Sequence, residues 1–479
     1  MDAVQFSLDI FHLLMSWSER REVSHLMRTC HTLNHEGVSY ILNEDPQLET
    51  ALHVRSFLQF AAARGNSVEL AHRLERLRGL TVDVREADAR IVAPLIKKLL
   101  VEMAPYMKNL ARINFRDRLH ALVQAEPELP AAVAALSTLE SLHLGGIDRR
   151  GLEGLVGLKS RLKHAVISVE LELASDVEGD DVARLLQSSR MTLRSVSFSA
   201  VYDPIPSPSP PCFAHVRHLS LEYTRTLVTS NLVAAFPNVE KLEASWLILT
   251  TMDYVEDAVL DHHRAQNVIS QQERGAWRSL RSFHGSLASL YVLGLTCHVP
   301  FVCVNTDENE GFDLRWARAI VADTRPTHLT FDIDFPTYFA EQESFAEDLI
   351  ALFSHRAFQN VKVLKVNFLL MPGDSDLEMV PFLDTFFQAI ALCSADAVAL
   401  TIHAGSLNSP WSGSNSSGAV EVYMRTFNAR ALAERLKAMA PSLRTVIISR
   451  DPWSSRRATV RLGPRIPDDS DANLDGSYV

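Results

Sequence analysis

The chain has 479 residues, 22% of them charged and 47% hydrophobic, and a formal net charge of −11. That profile is a folded protein rather than a disordered one, and the length exceeds the roughly 250–300 residues at which a single core stops growing, so several domains or a stack of units is required. The acidic balance argues against a general preference for nucleic acid or an anionic membrane.

Residues 7 to 42 read as three short helices. In the first, Leu8, Phe11 and Met15 recur at helical spacing beside Ile10, Leu14 and Trp17. The second carries Val23, Leu26, Met27 and Cys30 as an amphipathic stripe, and the third Val38, Ile41 and Leu42. So short a bundle has little core of its own and must lean on the segment that follows or on a partner. Residues 46 to 76 continue as two connecting helices broken at Gly65-Asn66. Another helix lies between Ala87 and Met107, with Ile91, Leu95, Leu99 and Met103 as its stripe.

From Leu77 to residue 450 one pattern keeps returning: an apolar residue, two free positions, a second apolar residue, one free position and a third. Leu139-Glu-Ser-Leu142-His-Leu144 is the clearest copy. Others are Leu193-Val196-Phe198, Val216-Leu219-Leu221, Val239-Leu242-Ala244, Val361-Leu364-Val366 and Leu443-Val446-Ile448. Looser copies start at Leu77, Leu110, Leu162, Leu280, Pro326 and Ala397, making twelve units whose starts are 23 to 46 residues apart. Each unit is expected to be a short strand whose fourth and sixth side chains share one face, joined to a helix that cannot cover that face alone. Helices are expected at Asp181–Gln187, Asn231–Phe236, Leu314–Val321, Phe345–Phe353, Phe382–Leu392 and Ala429–Met439. Stacked units of this length predict an α/β, leucine-rich-repeat-like solenoid, an irregular horseshoe with parallel strands inside and helices outside. An ordinary α/β domain whose strands start alike is the alternative.

Insertions interrupt the array: proline-rich Asp203–Pro211, long excursions from Ala244 to Leu280 and from Gly285 to Pro326, and polar Gly405–Gly418. Loops of that length are where function is expected. Residues 451 to 479 are expected to be a disordered acidic tail.

The helical head "FSLDIFHLLMSWSERREVSHLMRTCHTLNHEGVSYIL", residues 6 to 42, resembles an F-box, the motif that docks a protein onto the Skp adaptor of a cullin-RING ubiquitin ligase. The matching features are Leu8-Asp9-Ile10, the charged turn Glu19-Arg20-Arg21-Glu22 and the segment Leu26 to Gly37. Phe6-Ser7 stands where the family usually opens with Leu-Pro, and Leu33 where it often has tryptophan. An F-box (residues 1 to 45) before a long leucine-rich-repeat array is an arrangement familiar in fungal proteins. The resemblance implies a non-catalytic substrate receptor that holds the adaptor, and through it a cullin, by Leu8, Ile10, Phe11, Leu14, Leu26 and Cys30. The competing expectation is a repeat protein with no ligase link, its head only a cap on the first repeat.

Five widely spaced cysteines suggest no disulfide framework and a reducing compartment, cytoplasm or nucleus. Arg20-Arg21 follow the first apolar run, the reverse of a secretory signal, and no apolar run reaches the ~18–20 residues that span a bilayer. The sequence carries no phosphate-binding glycine loop, His-Glu-x-x-His helix, Gly-x-Ser-x-Gly elbow or Cys-x-x-Cys pair, so neither an enzyme nor a cofactor is expected. Cys297-His298 with Cys303, and His262-His263 upstream, lack the paired spacing of a zinc site and read as buried cysteines and surface histidines.

In repeat register, the second, third and fifth positions are expected on the concave face. They hold ten cations (Arg78, Arg112, Lys163, Arg194, Arg217, Lys241, Arg281, Lys362, Lys365 and Arg444) and, as anions, Glu140, Glu240 and Glu243. With His218 and His284 beside them, Arg194, Arg217, Lys241 and Arg281 are the expected contacts for a protein target, acidic or phosphorylated. Aromatic stacking partners for nucleic acid are missing there.

Overall fold

Alternating burial along most of the short extended segments organises the protein. The computed structural model describes residues 8–62, 67–170, 172–173, 177, 179–205, 210–224, 228–245, 257–306, 313–334, 345–370, 374, 376–403, 418–450 and 458–464. Within them the chain is mixed α/β and divides into two units, Met1–Arg217 and His218–Val479. Residues 206–209 of the proline-rich loop, the segment 405 to 417 and the tail beyond 464 lie outside the described residues.

The first unit starts with three helices, α1 (Leu8–Trp17), α2 (Arg20–Met27) and α3 (His31–Ile41), followed by α4 (Ala51–Ala62) and α5 (Ser67–Leu74). The head leans on these followers: buried Arg73 donates to the Asn34 Oδ1 of α3 at 2.9 Å and lies over the Phe60 ring of α4. Six strands, β1 (Gln47–Leu48), β2 (Gly79–Val82), β3 (Arg112–Phe115), β4 (Ser141–Ile147), β5 (His164–Val169) and β6 (Ser195–Ser199), pair in parallel and in chain order. Parallel neighbours need a crossover between them. It is supplied here by helices such as α6 (Ala89–Met103), α7 (Leu119–Ala125), α8 (Leu129–Ala134), α9 (Arg149–Leu155) and α10 (Gly179–Leu186).

The register stacks the predicted positions. Leu80, Ile113, Leu142, Ala165 and Val196 form one apolar row, and Val82, Phe115, Leu144, Ile167 and Phe198 the next, all at most 3% exposed. The stripe of α6 differs from expectation. Val92, Ile96, Leu99, Leu100 and Met103 are buried while Ile91 is 53% exposed, because a strict four-residue spacing drifts around a helix of 3.6 residues per turn.

The second unit repeats the plan with β7 (His218–Glu222), β8 (Lys241–Ser245), β9 (Ser282–Ser286), β10 (Phe301–Asn305), β11 (His328–Asp334), β12 (Val363–Leu369), β13 (Ala397–His403) and β14 (Thr445–Arg450), all parallel and sequential. Its helices are α11 (Thr229–Ala235), α12 (Asp257–Arg274), α13 (Leu287–Leu293), α14 (Leu314–Thr324), α15 (Phe345–Ser354), α16 (Met379–Ile390), α17 (Ala419–Arg425) and α18 (Ala429–Met439). One row reads Leu219, Leu242, Phe283, Val302, Leu329, Leu364, Val398 and Val446. In the second row Gly285 takes a place that a residue with an apolar side chain, from Ala244 to Phe331, holds on the other strands. Its φ is +154°, and a Cβ would stand 1.7 Å from the Ala244 carbonyl oxygen, so only glycine fits.

All twelve expected units contain a strand, and four details are corrected. β10 is an additional unit, Val299-Val302-Val304, inside the supposed excursion after Gly285. The Ala397 unit begins two residues earlier, at buried Ala395, since Val398 and Leu400 pair with Leu364 and Val366. The excursion after Ala244 contains the 18-residue α12. There buried Asn267 accepts from the Thr229 N–H (2.9 Å) and donates to Val292 O (3.0 Å), while Gln271 donates to Leu293 O and Gly294 O. In the supposed tail, β15 (Ala458–Leu462) pairs antiparallel with β14, giving that strand's open edge a partner.

Candidate functional site

Two surfaces gather the residues singled out by sequence. On the head, α1 is apolar on two sides. Met15 is 1% exposed and Phe11 half-buried, which sets the inward side. Ile10, Leu13, Leu14 and Trp17, at i, i+3, i+4 and i+7, are 43, 49, 45 and 78% exposed and form a continuous outward stripe. Asp9, His12 and Ser16 make up its remaining polar side, so the helix has more apolar surface than its own packing covers.

The inward side is well fixed. Val23 and Met27 of α2 and Leu33 and Val38 of α3 are all buried. Gly37 lets the two helices approach, because a Cβ there would lie 2.3 Å from the Met27 Cγ. Glu19 and Glu22 form a capping box at the start of α2.

Of the adaptor contacts expected from the resemblance, Ile10 and Leu14 lie on the outward stripe. Leu8, also 43% exposed, sits a turn before Phe11 and on the same side as it. Leu26 is half-buried, and exposed Cys30 caps α3, its Sγ accepting from the Leu33 N–H at 3.5 Å. Leu13 and Trp17 were missing from that set. The signal for them is the second apolar stripe in a ten-residue helix.

The other is the polar strand face of each unit, built from third and fifth positions. On β7 and β8, the Glu243 carboxylate lies 3.3 Å from His218 Nε2 and 2.6 Å from Lys241 Nζ. Hydrogen bonding to His218 and Lys241 outweighs burial and pulls its pKa down to about 2. On β4, burial lowers the pKa of His143.

Second positions, by contrast, precede the strands and form a hydrogen-bonded row at their entrances. In the first unit Arg194 N–H donates to Lys163 O and Arg217 N–H to Arg194 O, each at 2.8 Å. In the second, Arg281 N–H donates to Glu240 O at 2.8 Å. All three arginines are exposed. Acidic neighbours take up part of the expected positive field: Arg112 is bidentate to Asp45, Lys163 pairs with Glu140 at 2.6 Å, Lys241 with Glu243, and Arg444 with Asp396 at 3.7 Å. In each unit the polar face is therefore of mixed sign.

His284 of β9 faces Cys303 of β10, its direct register partner, and Asp332 of β11 lies beside both. Ligand atoms of the three are within 4.8 Å of one another. Cys303 Sγ donates to Asp332 Oδ2 at 3.5 Å, and Asp332 Oδ1 accepts from the Asn367 amide of β12 at 2.6 Å. Burial first, and the Asp332 charge second, push the Cys303 thiol far above its ordinary pKa. Cys297, whose thiol burial raises to about 11, and His262 and His263 on α12 are not part of this group.

No protein-family model matches the chain, and a search of curated proteins found no match. Among the described residues no helix is long and apolar enough to cross a membrane.

Proposed function

We propose that this protein is the substrate-recognition subunit of a Skp–cullin–F-box ubiquitin ligase. Its helical head would be the F-box-like module and its strand–helix units a leucine-rich-repeat-like solenoid. The observation that carries the reading is the uncovered stripe Ile10-Leu13-Leu14-Trp17, on a helix whose other side is already packed. A stripe of four large apolar residues, with a tryptophan at one end, has the composition of a binding hot spot. The F-box resemblance of residues 6 to 42 says which partner it suits.

The role is positional, and no residue of this chain performs covalent chemistry. The head engages the adaptor and through it a cullin, in the cytoplasm or nucleus. The polar strand face and the strand entrances of each unit, with Arg194 and Arg217 in the first and His218, Lys241, Arg281 and His284 in the second, receive the protein target. Because each of these faces is of mixed sign, it suits a partner offering both acidic and basic groups as well as a purely acidic or phosphorylated one.

Co-expression of the full chain with a Skp-type adaptor is the test. The intact protein should co-purify with the adaptor, and the double substitution Ile10→Asp, Leu14→Asp should abolish this without unfolding the head. Failure of the intact chain to bind at micromolar concentration would make the head a cap and the protein a scaffold.

A further inference from the structure

The trio on β9, β10 and β11 is not needed for adaptor docking, yet its geometry is that of a ligand set. We propose that His284, Cys303 and Asp332 bind a divalent transition metal, zinc by the character of the donors, through three protein ligands with a fourth position open on the strand face.

The backbone brings them together. Adjacent strands run about 4.8 Å apart, and His284 and Cys303 occupy paired positions on the same face. Asp332 lies two residues beyond Thr330, the register partner of Cys303, so its carboxylate reaches the pair diagonally. All three ligand atoms fall within 4.8 Å of one another before any side chain has moved. A tetrahedral centre with Zn–S near 2.3 Å and Zn–O near 2.1 Å requires a sulfur–oxygen edge of roughly 3.6 Å. The Cys303 Sγ to Asp332 Oδ2 separation is 3.5 Å. Small rotations of His284 and Asp332 then complete one triangular face of the tetrahedron.

The surroundings fit as well. The Asn367 amide holds Asp332 Oδ1 at 2.6 Å, leaving Oδ2 turned toward the sulfur. Outer partners that orient a ligating carboxylate in this way are a regular part of metal centres. One imidazole, one thiolate and one carboxylate form a borderline-soft set that selects zinc over magnesium or calcium.

Loading is a proton exchange and not a redox step. The metal takes the thiol's electron pair, the Cys303 S–H bond breaks, and its proton leaves to solvent. His284 contributes a neutral nitrogen and Asp332 its carboxylate. Water, or an anionic group of a bound partner, fills the fourth position.

The experiment is a cobalt(II) titration of the full-length protein after chelator treatment and removal of the chelator. The expected result is one Co²⁺ per chain, with a thiolate-to-cobalt charge-transfer band in the near ultraviolet and tetrahedral ligand-field bands in the visible, both erased by one equivalent of Zn²⁺. Cys303→Ser should remove the charge-transfer band, and His284→Ala and Asp332→Asn should each weaken binding at least tenfold. Asn367→Ala should weaken it roughly tenfold, and Cys297→Ser should leave it unchanged. Metal-free Cys303→Ser with a wild-type unfolding midpoint shows that the loss is of a ligand and not of the fold. A folded wild-type protein without the band, or a band that survives Cys303→Ser, overturns the site. Neither result depends on whether the adaptor binds.

Discussion

Truncation of Trp17 to alanine probes the proposed docking stripe where it is most open. Trp17 is 78% exposed, and a tryptophan buries on the order of 150–250 Å² when fully covered, so a partner lying over it removes roughly 120–200 Å² from water. At about 25 cal/mol per Å² the gross gain is about 3–5 kcal/mol. Incomplete coverage and the cost of fixing the side chain lower it, leaving a net loss for Trp17→Ala of about 2 kcal/mol, roughly 30-fold in Kd. Isothermal titration of the purified chain with a Skp-type adaptor measures it. The same substitution should leave the urea midpoint of the free protein nearly unchanged, within about 0.5 kcal/mol, because an exposed side chain has few contacts to lose. Met15→Ala supplies the contrast on the same helix: Met15 is 1% exposed, and its loss should destabilise the head by about 2–5 kcal/mol. An adaptor affinity within twofold of wild type for Trp17→Ala would refute the assignment of this face.

Three further outcomes follow from the second unit. Phe368 is fully buried, with its ring edge-to-face at 5.1 Å from Phe382 and 5.2 Å from Phe386; Phe368→Ala should cost about 3–5 kcal/mol, read from urea unfolding and from faster hydrogen exchange in β12, and Phe368→Leu clearly less. Gly285→Ala places a Cβ 1.7 Å from the Ala244 carbonyl oxygen, so a marked fall in thermal midpoint or soluble yield is expected, and a wild-type midpoint would contradict the described backbone. Glu243 has a folded pKa of about 2 against an ordinary 4.5, so its contribution is complete above about pH 4.5 and is lost as pH falls toward 2. The shift corresponds to about 3 kcal/mol, reduced by solvent to about 1–2 kcal/mol because the carboxylate is 30% exposed. The stability difference between wild type and Glu243→Gln should therefore narrow from pH 7 to pH 3, and a constant difference would show that the ion pairs contribute nothing.

What could be read from the sequence divides along a physical line. Apolar rows were legible because burial repeats in register: Leu142 and Leu144 predict the positions of Ile113, Phe115, Ala165 and Ile167 without any knowledge of the turns between them. The helix α12 was not, because its buried contacts are made by Asn267 and Gln271, whose value lies in the carbonyls and N–H groups they satisfy and not in hydrophobicity. The field of cations was legible as a count but not as a charge. Whether Arg112 or Lys163 contributes to it depends on Asp45 and Glu140, which approach only once the chain is folded.

The metal-ligand trio shows how one missed strand hides a site. Val299, Val302 and Val304 repeat the apolar pattern, but this unit starts 19 residues after Leu280, closer than the other spacings. The interval holds only β9 and the seven-residue α13 before the next strand begins. Without β10, His284 is one face residue among many, Asp332 is a carboxylate on a separate strand, and Cys303 belongs with Cys297 and His298 by proximity in sequence. With β10 inserted, register alone pairs Cys303 with His284 and sets Asp332 next to them on the following strand. Residues 19 and 29 positions apart in the chain then stand within one coordination sphere, because in a sequentially paired parallel sheet the distance between two side chains depends on their unit and their place in it, and hardly at all on the length of chain that joins them.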